Sequence, residues 1–97
     1  MSTSSTKHVR IRGRVQGVGY RDWAATSAMR RGLTGWVRNL TDGSVEAVVH
    51  GPPAMVLDFV AACQKGPPLA RVTSVDAEDA SAFDGQGFEQ RATAPPP

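Results

Sequence analysis

The sequence predicts an α+β fold of the split βαβ, or ferredoxin-like, type. Three observations predict it. Hydrophobic periodicity changes along the chain in the order strand, helix, strand, strand, helix, strand, a βαββαβ series. The second and third strands are joined by Asp42-Gly43, a strong hairpin signal. Ninety-seven residues, 40% of them hydrophobic, allow one domain with one modest core. Right-handed crossovers then place both helices on one face of an antiparallel sheet. The third strand lies between the first and second. These two run parallel, so their C-terminal ends share one edge of the sheet.

The first strand, residues 8–15, alternates. Val9, Ile11, Gly13 and Val15 fall on one face, and His8, Arg10, Arg12 and Arg14 on the other. A helix is expected over residues 22–31, opened by Asp22 and stopped by Gly32, with Ala24, Ala25, Ala28 and Met29 as its apolar stripe. Residues 33–40 read as the second strand and 44–50 as the third, with Val45, Ala47 and Val49 inward. Gly51-Pro52-Pro53 breaks that strand and leads into a helix over residues 54–64. Val56, Leu57, Phe59, Val60 and Cys63 are its buried side, and Gly66-Pro67-Pro68 ends it. Residues 70–79 read as a fourth strand with an irregularity, because Val72 and Val75 differ in parity. Residues 88–91 suggest a short fifth strand with Phe88 tucked inward. Residues 1–6 are expected to be a disordered leader, 7–91 the folded domain and 92–97 a disordered Pro-rich tail.

Composition excludes several classes of function. The net charge of +2 is too small to imply nucleic-acid binding by itself. A pI near 9.2 fits a mild preference for anions. Cys63 is the single cysteine, so no intrachain disulfide forms, and a reducing cytoplasm suits it. No apolar run approaches membrane length. Arg10, Arg12 and Arg14 form a basic row, but Glu46, Asp76 and Glu78 on neighbouring strands are placed to pair across it. The first and third strands carry no aromatics on which bases would stack. A solvated charge-laced face is the better reading. Monomer is the default.

The stretch that carries chemistry is residues 13–21, Gly-Arg-Val-Gln-Gly-Val-Gly-Tyr-Arg. It lies between the end of a strand and the start of a helix. Its glycines let the chain bend, successive N–H groups can converge on one anion, and the helix adds the positive end of its dipole. Arg21 supplies a guanidinium fork suited to phosphate oxygens. The candidate phosphate cradle is Gln16, Gly17, Val18, Gly19, Tyr20 and Arg21. No Gly-Lys-Ser/Thr follows, so this is not a Walker loop, and the glycine spacing is not that of a dinucleotide fingerprint. A Gly-rich turn alone specifies little. The topology, however, places Asn39, at the end of the second strand, about two strand spacings or roughly 10 Å from the cradle.

Residues 13–21, followed by GLTGWVRNLTDGSVE at 32–46 and GPPLARV at 66–72, closely resemble the acylphosphatase family. The likeness runs from about residue 9 to 88. It implies the ferredoxin-like fold and metal-free hydrolysis of the carboxyl–phosphate bond of acyl phosphates, with no cofactor. It puts the substrate-binding arginine on Arg21, the water-orienting asparagine on Asn39, and the aromatic before the arginine on Tyr20. Arg31 stands where the family often has leucine. Inorganic phosphate or sulfate should bind as product-like ligands.

The residues make chemical sense of this. A carboxylate leaves readily without a strong general acid, so the obstacle is charge on the phosphoryl group. The cradle and Arg21 can neutralise it, and the Asn39 amide oxygen can orient water. Neither residue is a base near neutral pH. The other candidates have blander readings. His8 and His50 lack partners at ligand or triad spacing and read as surface residues, Trp36 as packing, Cys63 as inert core, and Ser44 and Ser74 have no evident base. Two other functions stay open. One is a non-enzymatic small-anion-binding or regulatory module. The other is a detached relative of the acylphosphatase-like domain of carbamoyl-transferring maturation proteins, which are longer and carry zinc-binding cysteines.

Overall fold

A computed structural model describes residues 3–97. Seven elements follow one another: β1 (Ser5–Arg14), α1 (Tyr20–Arg30), β2 (Thr34–Asn39), β3 (Val45–Gly51), α2 (Pro53–Cys63), β4 (Arg71–Asp79) and β5 (Phe88–Gln90). The strands form one sheet in the order β4-β1-β3-β2-β5. β3 pairs antiparallel with both β1 and β2, so β1 and β2 run the same way on either side of it. Val9, Ile11 and Val15 join Val45, Ala47 and Val49 in one buried cluster with Tyr20, Ala24 and Ala28 of α1 and Val56, Phe59 and Cys63 of α2. Both helices therefore cover the same face of the sheet. No helix among the described residues is long and apolar enough to cross a membrane.

The structure departs from the expected fold in several places. The sheet is mixed, because β5 pairs parallel with β2. β4 runs opposite to β2 and finishes at the sheet edge where β2 starts. A loop along that edge re-enters the sheet beside β2 in the same direction. Ser5 and Thr6, expected in the leader, belong to β1 and pair with Gly51 and His50. The Thr6 hydroxyl also meets His50 Nδ1 at 2.6 Å. Met1 and Ser2 lie outside the described residues. The tail is engaged at Ala94, which bridges Leu40. Met29 and Leu57, expected to be buried, are exposed. Each follows directly on a buried residue, Ala28 on α1 and Val56 on α2, and so lies about 100° around its helix from it, beyond the contact stripe.

The irregularity in β4 is a bulge. Arg12 faces Ser74 and Gly13 faces Val72, which leaves Thr73 without a partner in the ladder. Gly13 is needed there, since a Cβ at that position would lie 2.1 Å from the Arg71 carbonyl oxygen. It thus serves the sheet rather than the cradle. Arg31 links the two helices. Its Nε donates to Asp58 at 2.7 Å and its Nη1 to Ser27 Oγ at 2.6 Å.

The open face of the sheet is a connected charge network. Glu46 is 2% exposed at its centre. Arg38 Nε donates to Glu46 Oε1, and His8 Nε2 to Oε2, each at 2.7 Å. His8 is therefore not the unpartnered surface residue that its sequence context suggests. Arg10 lies opposite Glu46 in register but turns to Ser44 and Asp42. The guanidiniums of Arg38 and Arg91 both lie over the Trp36 ring system, each 4.7 Å from a ring centroid.

Burial alone would push the Glu46 carboxyl up, but its bonds from His8 and Arg38 outweigh this and hold it low. Asp42 is held down to about 2 by the Ser44 hydroxyl and N–H and by Arg10. Lys7 lowers Asp79. In each case the folded state favours the ionised form. The resulting stabilisation is present above the ordinary carboxylate range and drains away as pH falls through the folded values. Urea unfolding should therefore show stability declining below about pH 4.5. Glu46→Gln should flatten that decline and cost about 2 kcal/mol at pH 7 by depriving Arg38 and His8 of their anion. A variant as stable as the parent at pH 7 would show that the network is only decorative.

Candidate active site

β1 ends at Arg14, and buried Val15 anchors the chain before it leaves the sheet. Gly17 and Gly19 then take left-handed conformations, with φ of 72° and 80°. A Cβ at either position would meet nothing within 4 Å. Their need for glycine is thus conformational rather than steric. Gly19 is the N-cap of α1, and no side chain caps this end. Trp23 N–H is the first to bond back, to the Gly19 carbonyl at 3.0 Å. The N–H groups of the first helical turn are left open at the positive end of the helix dipole.

These donors border a pocket of about 100 Å³ lined by Val15, Gln16, Gly17, Gly19, Tyr20, Arg21, Asp22, Asn39 and Gln90. The topology thus brings Arg21 and Asn39 to one site. Neither side chain is engaged by a hydrogen bond or ion pair with another described residue, a state that sets Arg21 apart. Among the described arginines that are not fully exposed, Arg10, Arg31, Arg38 and Arg91 each face a carboxylate, and Arg21 does not. A half-buried guanidinium without a counter-ion beside open N–H groups can hold a small dianion.

Three other candidate residues sit differently from the sequence reading. The Gln16 side chain is committed elsewhere, because its Nε2 donates to the carbonyls of Leu40 and Ser44, both at 2.8 Å. It ties the loop to the β2–β3 hairpin, and only its main chain is left for a ligand. Val18 does not line the pocket and packs against the core. Tyr20 is 2% exposed, with its hydroxyl donating to the Cys63 carbonyl at 2.7 Å. Burial, with Cys63 nearby, keeps this phenol protonated far above its ordinary range. Tyr20 thus pins the first turn of α1 to the end of α2 and presents only its backbone to the site. Burial likewise pushes the Cys63 thiol up to about 12, which leaves it unreactive.

The sequence reading missed three lining residues, Val15, Asp22 and Gln90, the first of them read only as an inward residue of the first strand. Gln90 Nε2 donates to Asp22 Oδ1 at 2.7 Å, tying β5 to the first turn of α1 across the mouth of the pocket. Asp22 was visible only as a first-turn acid. Gln90 had no local signal, because its place depends on β5 joining the sheet beside β2.

A family model described as acylphosphatase matches residues 7–90. An acylphosphatase of Azoarcus sp. strain BH72 is 52% identical over 88 residues, covering 91% of this chain and 90% of that protein. Among solved structures, an acylphosphatase from Coxiella burnetii superposes with a TM-score of 0.89 at 35% identity, covering 92% of this chain and 94% of that one. One from Bacillus subtilis gives 0.84 at 34%, covering 89% and 97%. Sequence and fold agree across nearly the whole length of both partners, and the chain belongs to the acylphosphatase family.

Proposed function

We propose that the loop at residues 16–21, the first turn of α1, Arg21 and Asn39 carry the reaction of this acylphosphatase: hydrolysis of the carboxyl–phosphate bond of acyl phosphates to a carboxylate and inorganic phosphate. The observation that carries this assignment is the unpaired Arg21 guanidinium, which shares one pocket with the open helix N-terminus and Asn39.

The phosphoryl oxygens sit against the N–H groups of the loop and first turn, and Arg21 takes the remaining charge. This positions the phosphorus and lowers the repulsion that an incoming water meets. The Asn39 amide oxygen accepts a hydrogen bond from that water and aims a lone pair in line with the scissile P–O bond. The new bond forms between water oxygen and phosphorus while the bond to the carboxylate oxygen breaks. The leaving carboxylate is weakly basic and departs without a proton. Neither a guanidinium nor a carboxamide offers a basic lone pair to take it, so the water's proton passes to a phosphoryl oxygen of the substrate. Gln16 and Gln90 hold the frame, and Val18 and the Tyr20 ring act through packing. We further propose a monomer of the reducing cytoplasm, in keeping with the single buried thiol of Cys63.

Phosphate or sulfate should inhibit competitively and stabilise the fold. At a hundredfold excess over Kd, linkage gives about 2.7 kcal/mol, a rise in Tm on the order of 10 °C for a chain of this size. Turnover of acetyl phosphate should survive exhaustive chelation. Loss of activity with EDTA, restored by a divalent metal, would contradict the charge stabilisation assigned to Arg21.

Arg21 and Asn39 should fail differently. Arg21→Ala removes charge-assisted bonds of about 1.5–3 kcal/mol each, present in both ground and transition states. It should lose phosphate binding and measurable turnover together. Asn39→Ala should lose about a hundredfold in kcat while phosphate still binds, because its contact is with the water. Calorimetric phosphate affinity set beside kcat separates them. An Asn39→Ala enzyme with near-parental kcat would move the water-orienting role elsewhere.

A further inference from the structure

We propose that the chain beyond β5 is a strap that positions Asn39 for catalysis, an inference that rests on the role given to Asn39 above. β5 pairs with β2 up to Gln90 opposite Val37, and the contact continues past the end of that strand. Arg91 N–H donates to the Val37 carbonyl at 2.8 Å. Ala94 N–H donates to the Asn39 carbonyl at 3.1 Å, and Thr41 N–H donates to the Ala94 carbonyl at 3.0 Å. One residue of the strap thus brackets residues 39–41 with two backbone bonds.

The opposite flank cannot supply this restraint. Leu40 N–H donates to the Ser44 carbonyl at 2.9 Å, so Leu40 holds the hydrogen-bonded position against β3. In an antiparallel ladder such positions alternate, and the neighbouring Asn39 turns its own N–H and C=O away from β3. They point to the side where Ala94 lies. Gln16 secures Leu40 and Ser44 from the cradle side but does not touch the Asn39 carbonyl. Ala94 is therefore the backbone partner of the residue whose side chain must be aimed.

The strap is built to hold this position. It is anchored upstream where Arg91 lies over Trp36. Downstream, exposed Pro97 helps line a cleft on the open sheet face with His8, Arg10, Arg12, Asp76 and Glu78. Pro95, Pro96 and Pro97 have fixed φ and little freedom to lose on ordering. A residue before proline favours the extended conformation, which is what Ala94 needs to bridge Leu40. The composition that suggests a loose tail is equally that of a stiff one.

Ala94→Pro removes the N–H that reaches Asn39. The loss of one backbone bond should lower kcat about three- to tenfold, with KM and phosphate affinity unchanged. Removing residues from 92 onward should give the same split, with β5 left in place. In an Asn39→Ala background neither change should reduce kcat further. Unchanged kcat in both strap variants would overturn the proposal, as would phosphate affinity falling in step with kcat. An equal fold-loss in parent and Asn39→Ala backgrounds would mean that the strap acts through something other than Asn39. Failure of the Asn39 role itself shows separately, as near-parental kcat in Asn39→Ala alone.

Discussion

The site depends on the Gln16 side-chain amide. Its two donated bonds, to Leu40 and Ser44, join the loop after β1 to the hairpin between β2 and β3. β1 and β2 are not neighbours, since β3 runs between them. The ladder alone sets the distance between their ends only through an intervening strand, and the loop after β1 is free of it. One planar amide spanning that gap fixes the cradle against the strand end that carries Asn39. A backbone carbonyl bonded inside a folded domain gains little in net energy, about 1 kcal/mol. The value of these bonds lies in geometry, because misplacement of a reacting group by about 1 Å can cost a hundredfold in rate.

The same economy separates the two faces of the sheet. On the open face nearly every cation is matched: Arg10 by Asp42, Arg12 by Asp76 and Arg38 by Glu46. Exposed pairs of this kind contribute little individually. Buried Glu46 is different, since losing either partner would strand a carboxylate in a place with little water. Around the pocket the rule is reversed. Arg21 is left without a counter-ion, and the helix above it has no side-chain cap. An unfilled N-terminus and an unpaired guanidinium both cost stability in the free protein, and a bound dianion satisfies both. The open face thus pairs its charges within the fold, while the pocket leaves Arg21 unpaired among the described residues, as the proposed phosphate site requires.

The sequence made most of this legible, and the parts it hid have a common cause. Alternation in β1 and β3, the Asp42-Gly43 hairpin and the bulge signalled by Val72 and Val75 are local patterns, and the structure carries each of them. Arg21 and Asn39 were legible through the order of elements, which forces the ends of β1 and β2 to one edge. The direction of β5 was not legible, because three strand residues carry too little pattern to choose between edges. Gln90 and Ala94 followed β5 into obscurity. Gln16 was visible but misread. Its position in a Gly-rich loop points to a ligand, and only the fold brings the Leu40 and Ser44 carbonyls within its reach. His8 was misread for a related reason, since its partner Glu46 lies 38 positions away, on β3.

The chemistry explains why so small a domain suffices. A leaving group that departs as a stable anion removes the need for a general acid, and with it the need to tune a titrating side chain by burial. What remains is to hold a charge and aim a water, tasks for fixed donors and a neutral amide. Such a site gains nothing from flexible, strongly basic groups and depends instead on how well its parts are held. That demand is met by backbone: left-handed Gly17 and Gly19 aim the N–H groups, Tyr20 pins the turn through Cys63, and Ser44, Gln16 and Ala94 grip the strand end from separate directions. Three independent grips on residues 39–41 exceed what pairing of a six-residue strand requires. The surplus falls at Asn39, the residue proposed to aim the water, where a small rotation of the backbone would turn its amide away.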